Sequence, residues 1–429
     1  MKNILFITWD GPQTSDMEGL FMPIFQEIAK RGDYKFHVVQ FTWADAQKIA
    51  HTQAAADKMG ITYTTWPVLR KPNIAIGSLL TVITAAGKIK KYIRENNIHI
   101  VMPRSTFPAM MVNQINSPFA SRAFFPFRGL RGAAFFPFRG LRGAGKVPFR
   151  GFRVKLIFDA DGLPIDERVD FAGLKKNNWQ YRWMKSIETS MLKRADKVIT
   201  RSQKSVEVHL ENIGEQYRNK FSVVFNGRDA ETFQNSESSR AASRKQLGLR
   251  EDELLFVYCG SLGEQYCWEE MMTVFEGYQK TAPAKILVLT GNKEYALSKL
   301  SAEQQKSVIV KSVPFPEIPF WLSAGDIAFA LRTPSFSMQG VAPIKLGEYL
   351  LMNLPTIASK GIGDTEEILK HFKDCYLYDH TAEQHLRQSE ILNWIENVSS
   401  KKNINTREQA EKWFSLDAAA ISYLKALQL

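Results

Sequence analysis

Lys345 and Glu348 stand three residues apart in a stretch whose neighbours give both of them work to do. At that spacing a basic and an acidic side chain share one face of a helical turn, and Pro343 just ahead of them can open the helix. The apolar run 327–331 reads as a buried strand, residues 354–358 read as the next one, and a loop of small and polar residues follows the first. This is a strand–helix–strand unit with its loop turned to a ligand. A helix start offers unpaired backbone N–H groups and the positive end of a dipole, so the natural guest is an anion. Arg332 and Lys345 are the cations best placed in sequence to meet it, Gly340 and Val341 lie in the approach to the helix, and the Glu348 carboxylate suits the two hydroxyl donors of a ribose diol.

A second loop is built for the same kind of guest. Gly260-Ser261-Leu262-Gly263 follows a strand at 254–258 and precedes a helix that begins near Trp268, the geometry of a turn that cradles phosphate. Any tight strand-to-helix turn also favours glycine, so the motif alone says little. Asp159-Ala160-Asp161-Gly162 has the Asp-x-Asp form that holds a divalent metal elsewhere. Acids at a strand end also form turns and helix caps, and that reading or a role in ligand binding is preferred, with no metal ligand assigned.

The elements that must carry these residues repeat along the whole chain of 429 residues. Strand-like runs at 4–9, 36–41, 98–102, 155–158, 197–200 and 222–225 alternate with helical patterns, and a second series follows at 254–258, 285–289, 308–313, 327–331, 354–358 and 376–378. Such alternation predicts parallel sheets flanked by helices, and two series predict two Rossmann-like α/β domains. In open sheets of this kind ligands bind outside the carboxyl ends of the strands, so two such domains are expected to face a central cleft. Leu20, Phe21, Ile24, Phe25 and Ile28 form the buried stripe expected of the first helix, and Gly32 ends it. The polar run 235–243 reads as the hinge.

Composition narrows the class further. Hydrophobic residues make up 45% of the chain, enough for two cores. Three cysteines give neither a disulfide framework nor a metal-ligand cluster, and a reducing, cytoplasmic setting fits them. The apolar start is cut short by Asp10 and reads as a strand rather than a leader, and no apolar run reaches the ~20 residues of a spanning helix. His37, His99 and His209 read as structural, and Trp9, Trp43 and Trp66 as core or strand-end residues.

Taken together, Pro343-x-Lys345-x-x-Glu348-Tyr349-Leu350, the following Leu354-Pro355-Thr356-Ile357 and Gly361-x-Gly363-Asp364 resemble the donor-binding half of bacterial family-four glycosyltransferases of the GT-B fold. Glu18-Gly19-Leu20-Phe21, the run 195–202, the run 224–233 and Tyr258-Cys259-Gly260-Ser261-Leu262-Gly263 extend the resemblance in order over nearly the whole chain. The resemblance implies an acceptor-side domain over 1–235, a nucleotide-sugar domain over 250–404, and a last helix, 405–429, crossing back to the first domain. It implies Glu348 as the ribose ligand, with Lys345, Arg332, Gly260, Ser261, Gly263, Gly340 and Val341 around the donor. Gly19, Arg104, Asp161 and Glu167 fall to the acceptor side or to catalysis, Asp166 and Glu167 in a loop. The activity implied is retaining transfer from a sugar nucleotide, UDP-linked rather than GDP-linked, to a surface-glycan or lipid-linked saccharide, with no cofactor. Two departures stand out: Ser261 replaces an arginine common in the glycine turn, and Gly340 replaces the first glutamate of the Glu-x7-Glu pair. A nucleotide- or RNA-binding relative without turnover, and a sugar-nucleotide epimerase, are the alternatives.

One segment breaks the rhythm. Residues 123–133 are repeated identically as 134–144, and 147–153 is a degraded third copy. Residues 118–153 hold eight basic side chains and no acid, so much of the net charge of +12 is local. A loop of Arg interleaved with Phe could contact an anionic membrane or stack on RNA. The preferred reading is a duplicated surface insertion, because long surface loops cost little to close. Peripheral contact with an anionic membrane stays open as an alternative, and nucleic acid is not expected as a partner.

Overall fold

The computed structural model describes residues 1–12, 16–115, 154–401 and 404–428; the duplicated segment lies outside the described residues. Seven strands form the first sheet: β1 (Lys2–Asp10), β2 (Tyr34–Thr42), β3 (Thr62–Pro67), β4 (Ile98–Pro103), β5 (Lys155–Asp159), β6 (Lys197–Thr200) and β7 (Phe221–Val223), in the order β3-β2-β1-β4-β5-β6-β7. Six form the second: β8 (Leu254–Cys259), β9 (Ala284–Leu289), β10 (Val308–Lys311), β11 (Ile327–Ala330), β12 (Thr356–Ser359) and β13 (Cys375–Tyr378), in the order β10-β9-β8-β11-β12-β13. The pairings of β1 with β2 and β4, and of β8 with β9 and β11, are parallel, as the strand–helix alternation requires. Both series of strands therefore build the α/β fold expected, with β3 added at an edge. Thr62-Tyr63-Thr64-Thr65-Trp66-Pro67 lacks an aliphatic run, and as an edge strand it need bury little.

Strand β8 shows how the second sheet is covered on both faces. Leu254, Phe256 and Tyr258 belong to one buried cluster with Phe275 and Phe329, while Leu255, Val257 and Cys259 belong to another with Tyr349 and Leu350. The two-residue period sends alternate side chains to opposite cores. In the first helical region the stripe Leu20, Phe21, Ile24, Phe25 and Ile28 is buried, as its spacing predicts.

The chain folds into two compact units. One contains Met1–Ser15, Ala29–Ala160 and Trp183–Val198; the other contains Asp16–Ile28, Asp161–Arg182 and Ile199–Leu429. The expected hinge at 235–243 is largely helical, because the Ser236 side chain accepts from Ser239 N and caps the helix Glu237–Gln246. The C-terminal helix is broken into Arg407–Phe414 and Leu416–Leu427. At the break Ser415 is extended, caps the second helix by accepting from Ala418 N, and forms a parallel bridge with Arg228. Among the described residues no helix is long and apolar enough to cross a membrane.

Candidate functional site

The helix Ile344–Leu351 presents three polar side chains in its first two turns. Lys345 and Tyr349, one turn apart, both reach the end of β8. The Tyr349 hydroxyl accepts from Cys259 N at 2.8 Å, which fixes the helix against the strand. Lys345 Nζ donates to the Tyr258 hydroxyl at 2.9 Å and lies 4.6 Å and 4.3 Å from the ring centres of Tyr258 and Tyr266. Tyr258 in turn donates to the Ser261 carbonyl. The ammonium thus sits inside the glycine turn, and the turn is shaped to admit it: Gly260 has φ +144°, and a Cβ there would lie 2.0 Å from Lys345 Cε. Arg332 stands 5.0 Å over the same Tyr266 ring, with its backbone N–H on Ser359 Oγ at 2.8 Å. Burial and the nearby Arg332 lower the Lys345 pKa to about 7.

Glu348 is 5% exposed and bound to Arg228, whose Nε donates to Glu348 Oε1 at 2.7 Å. Arg228 Nη1 also donates to the Gly19 carbonyl. Gly19 lies in the π-helical turn Met17–Phe21, and nothing comes within 4 Å of where its Cβ would be. Arg228, Lys345 and Glu348 all act on the buried Cys259 thiol, which burial first and Glu348 second push up to about 12.

Gly340 owes its identity to packing. A Cβ there would meet Leu163 N at 2.7 Å and Gly162 Cα at 2.9 Å, and a Cβ on Gly162, at φ +75°, would meet the Gly340 carbonyl at 2.4 Å. The two glycine backbones interlock, so a glutamate cannot enter at 340 unless one of them moves. Val341 is fixed similarly, its carbonyl against Gly363. Asp161, next to Gly162, has φ +54°, a strained conformation for a residue with a side chain.

Asp166 and Glu167 do not lie in a loop as expected: Pro164 opens the helix Pro164–Phe171 and both acids fall in its first turn, where they oppose the dipole favourably. Asp166 Oδ1 accepts from Tyr181 at 2.8 Å. Glu167 reaches solvent yet lies among enough protein that lost hydration raises its pKa, with Arg332 opposing the rise and Asp161 adding to it. In the other unit, Arg104 Nη1 lies 3.7 Å from Asp10 Oδ1, and Asp10 Oδ2 accepts from Thr8 at 2.6 Å and Gln40 at 3.0 Å. Ser105 beside it has φ +62°. His209 is buried with Nε2 3.2 Å from the Gly162 carbonyl, a structural position.

Three residues that sequence reading did not join also meet. The ligand-type atoms of Cys267, Glu270 and His380 lie within 4.8 Å of one another. Cys267 Sγ is 3.4 Å from Thr333 Oγ1 and His380 Nε2 is 2.8 Å from Ser359 Oγ, contacts that hold the trio in place. Only the two-residue linkage Cys267-x-x-Glu270 was visible along the chain, and His380 is too distant in sequence to complete it.

This arrangement of a glycine turn, a lysine from a following helix and a buried glutamate lies within a matched segment: residues 239–413 match the family described as glycosyl transferases group 1. The chain is therefore a transferase, and solved structures place its glycosyltransferase domain within a shared two-sheet fold. Anabaena HepE in complex with UDP-glucose matches with a TM-score of 0.65 at 15% identity over 100% of this chain and 99% of that one. Sucrose-phosphate synthase from Thermosynechococcus elongatus gives 0.64 at 14% over 100% and 98%. WaaG, a glycosyltransferase involved in lipopolysaccharide biosynthesis, gives 0.61 at 13% over 99% and 98%. No curated protein matches the sequence. The GT-B fold is thus the fold of this glycosyltransferase.

Proposed function

We propose that this nucleotide-sugar glycosyltransferase is a retaining enzyme that uses a UDP-sugar and delivers the sugar to a surface-glycan or lipid-linked saccharide at the inner face of the membrane. The observation that carries the reading is Lys345 Nζ inside the Gly260–Gly263 turn, 2.9 Å from the Tyr258 hydroxyl. The cation that the turn lacks in its own sequence is supplied from a later helix, where it would meet a diphosphate. HepE has been solved with UDP-glucose, which favours the uridine donor.

Glu348 would accept from the ribose hydroxyls, while Lys345 and Arg332 stabilise the charge that grows on the leaving diphosphate. No carboxylate stands at 340, and the Gly162–Gly340 interlock leaves no room for one, which disfavours a covalent glycosyl-enzyme at that position. The remaining route is attack on the face that the diphosphate leaves, its oxygen taking the proton of the acceptor hydroxyl. Arg104, Asp161, Glu167 and the Gly19 turn would serve the acceptor and the reacting centre.

Calorimetry with UDP is the test. Wild type should bind, and Glu348→Ala should weaken binding by ~1–3 kcal/mol, the scale of a hydrogen bond to a charged partner. Slow release of UDP from UDP-glucose without acceptor should accompany it. Equal affinity in wild type and variant would remove Glu348 from the site, and no UDP binding by wild type would overturn the donor assignment.

A further inference from the structure

Arg228 is more deeply engaged than a neutralising partner for Glu348 needs to be. Its backbone is pinned on both sides, Arg228 N donating to the Phe414 carbonyl at 2.7 Å and Leu416 N donating to the Arg228 carbonyl at 2.9 Å. Its side chain is 12% exposed. The guanidinium lies 5.2 Å over the Phe315 ring, which itself is 39% exposed. Nε is spent on Glu348 and Nη1 on the Gly19 carbonyl, so the carboxylate is held by one edge of the guanidinium and not by a two-pronged fork. No hydrogen bond to protein uses Nη2 among the described residues.

Charge points the same way. Around the end of β8 three basic side chains, Lys345, Arg332 and Arg228, gather with two acids, Glu348 bound to Arg228 and Glu167 within reach of Arg332, and burial and this crowding loosen the proton of Lys345. Gathering like charges in a partly buried place is costly unless an anion joins them. A diphosphate carries the missing charge, and its oxygens accept the planar donors that arginine presents.

We propose that Arg228 is a donor-binding residue: it orients Glu348 for the ribose through Nε and presents Nη2 to a phosphate of the nucleotide diphosphate. The inference rests on the donor reading of Glu348 given above. It assigns to the segment paired with the break between the C-terminal helices the arginine that the glycine turn does not carry. Because one guanidinium touches the Glu348 carboxylate and the Gly19 turn and would touch the phosphate, it couples recognition of the nucleoside to recognition of its charge.

The experiment compares uridine, UMP and UDP by calorimetry in wild type, Arg228→Met, Arg228→Lys and Glu348→Ala, with a melting curve for each. In wild type, affinity should rise with each phosphate. In Arg228→Met, the gain from uridine to UDP should shrink by about tenfold or more, since a charge-assisted contact to phosphate is lost. Arg228→Lys keeps the charge but cannot hold Glu348, Gly19 and a phosphate together, so it should fall between; it also carries the test if the Met variant does not fold. Glu348→Ala should weaken uridine and UDP alike. If Arg228 variants weaken uridine and UDP by the same factor, or neither, Arg228 is only a support for Glu348 and the inference fails while the donor reading stands. If wild type binds no UDP, the donor reading itself fails and the inference falls with it.

Discussion

Lys345 carries its own pH signature. In the unfolded chain it takes a proton near its ordinary value of 10.5, but in the folded protein not until about 7. Between these values the unfolded state binds more protons, so this residue makes stability rise with pH across that window, with its full penalty present below 7. A bound diphosphate restores the charge. Binding above pH 7 must then take up a proton, and UDP affinity should fall between pH 7 and 9, by no more than about tenfold per unit. Calorimetry in buffers of different ionisation enthalpy reads the uptake, and Lys345→Met should abolish it along with part of the affinity. Gly340 gives the opposite kind of prediction. Gly340→Glu, which would restore a paired carboxylate, should lower stability by ~1–3 kcal/mol, because the new side chain must push Gly162 and Leu163 apart. A melting curve unchanged from wild type would show that the two backbones yield easily.

Among elements, the break at Ser415 is the most informative to perturb. The residue ends one helix and caps the next, and its extended backbone pairs with Arg228. Arg407 extends the same clamp, its guanidinium donating to the carbonyls of Ala230 at 2.6 Å, Phe233 at 2.7 Å and Leu351 at 3.0 Å. The C-terminal helices thus hold the segment that delivers Arg228 to Glu348. Ser415→Ala should cost ~1 kcal/mol of stability through the lost cap. Ser415→Pro should cost more at the site than at the fold. A proline keeps the extended φ but disfavours the helical conformation of Phe414, whose carbonyl accepts from Arg228 N, so UDP affinity should drop beyond what the change in melting temperature predicts.

For the whole molecule, transfer should persist in excess EDTA with at most a modest loss, since in the proposed site Lys345 and Arg332 would meet the diphosphate and Asp161 is read as an acceptor-side or loop residue. Loss of activity in EDTA, restored by manganese and mimicked by Asp161→Ala, would reverse that reading; restoration lost in Cys267→Ala would instead point to the Cys267, Glu270 and His380 trio. A second expectation concerns residues 118–153, flanked by the helix Thr106–Ile115 and by β5, which pairs with β4 from Ile100 and Lys155 onward. Both flanks are complete elements of the fold. Replacing the segment with a short Gly/Ser linker should leave the melting curve and transfer to a soluble acceptor nearly unchanged, while sedimentation with anionic liposomes weakens. Failure of the linker variant to fold would make its Phe residues core.

What the sequence determined by itself is what depends on neighbours along the chain. Alternating apolar runs and helical stripes specify two parallel sheets, because each strand or helix buries its face by its own period. The spacing of Lys345 and Glu348 after Pro343, and the glycines at 260 and 263, were legible for the same reason. Edge strand β3 was not, since a strand paired on one side only needs little apolar pattern, and the helix Glu237–Gln246 was hidden by polar residues that suit an exposed helix as well as a hinge. Pairing across long separations was decided only by the tertiary structure. Arg228 and Glu348 are 120 residues apart, and Lys345 and Tyr258 are 87 apart. The missing glutamate at 340 reads as a departure in sequence and as a steric necessity in space, because Gly162 occupies the volume it would need. Local pattern fixes which residues can form an element; only the folded chain fixes which elements meet, and the charge balance around β8 belongs to that meeting.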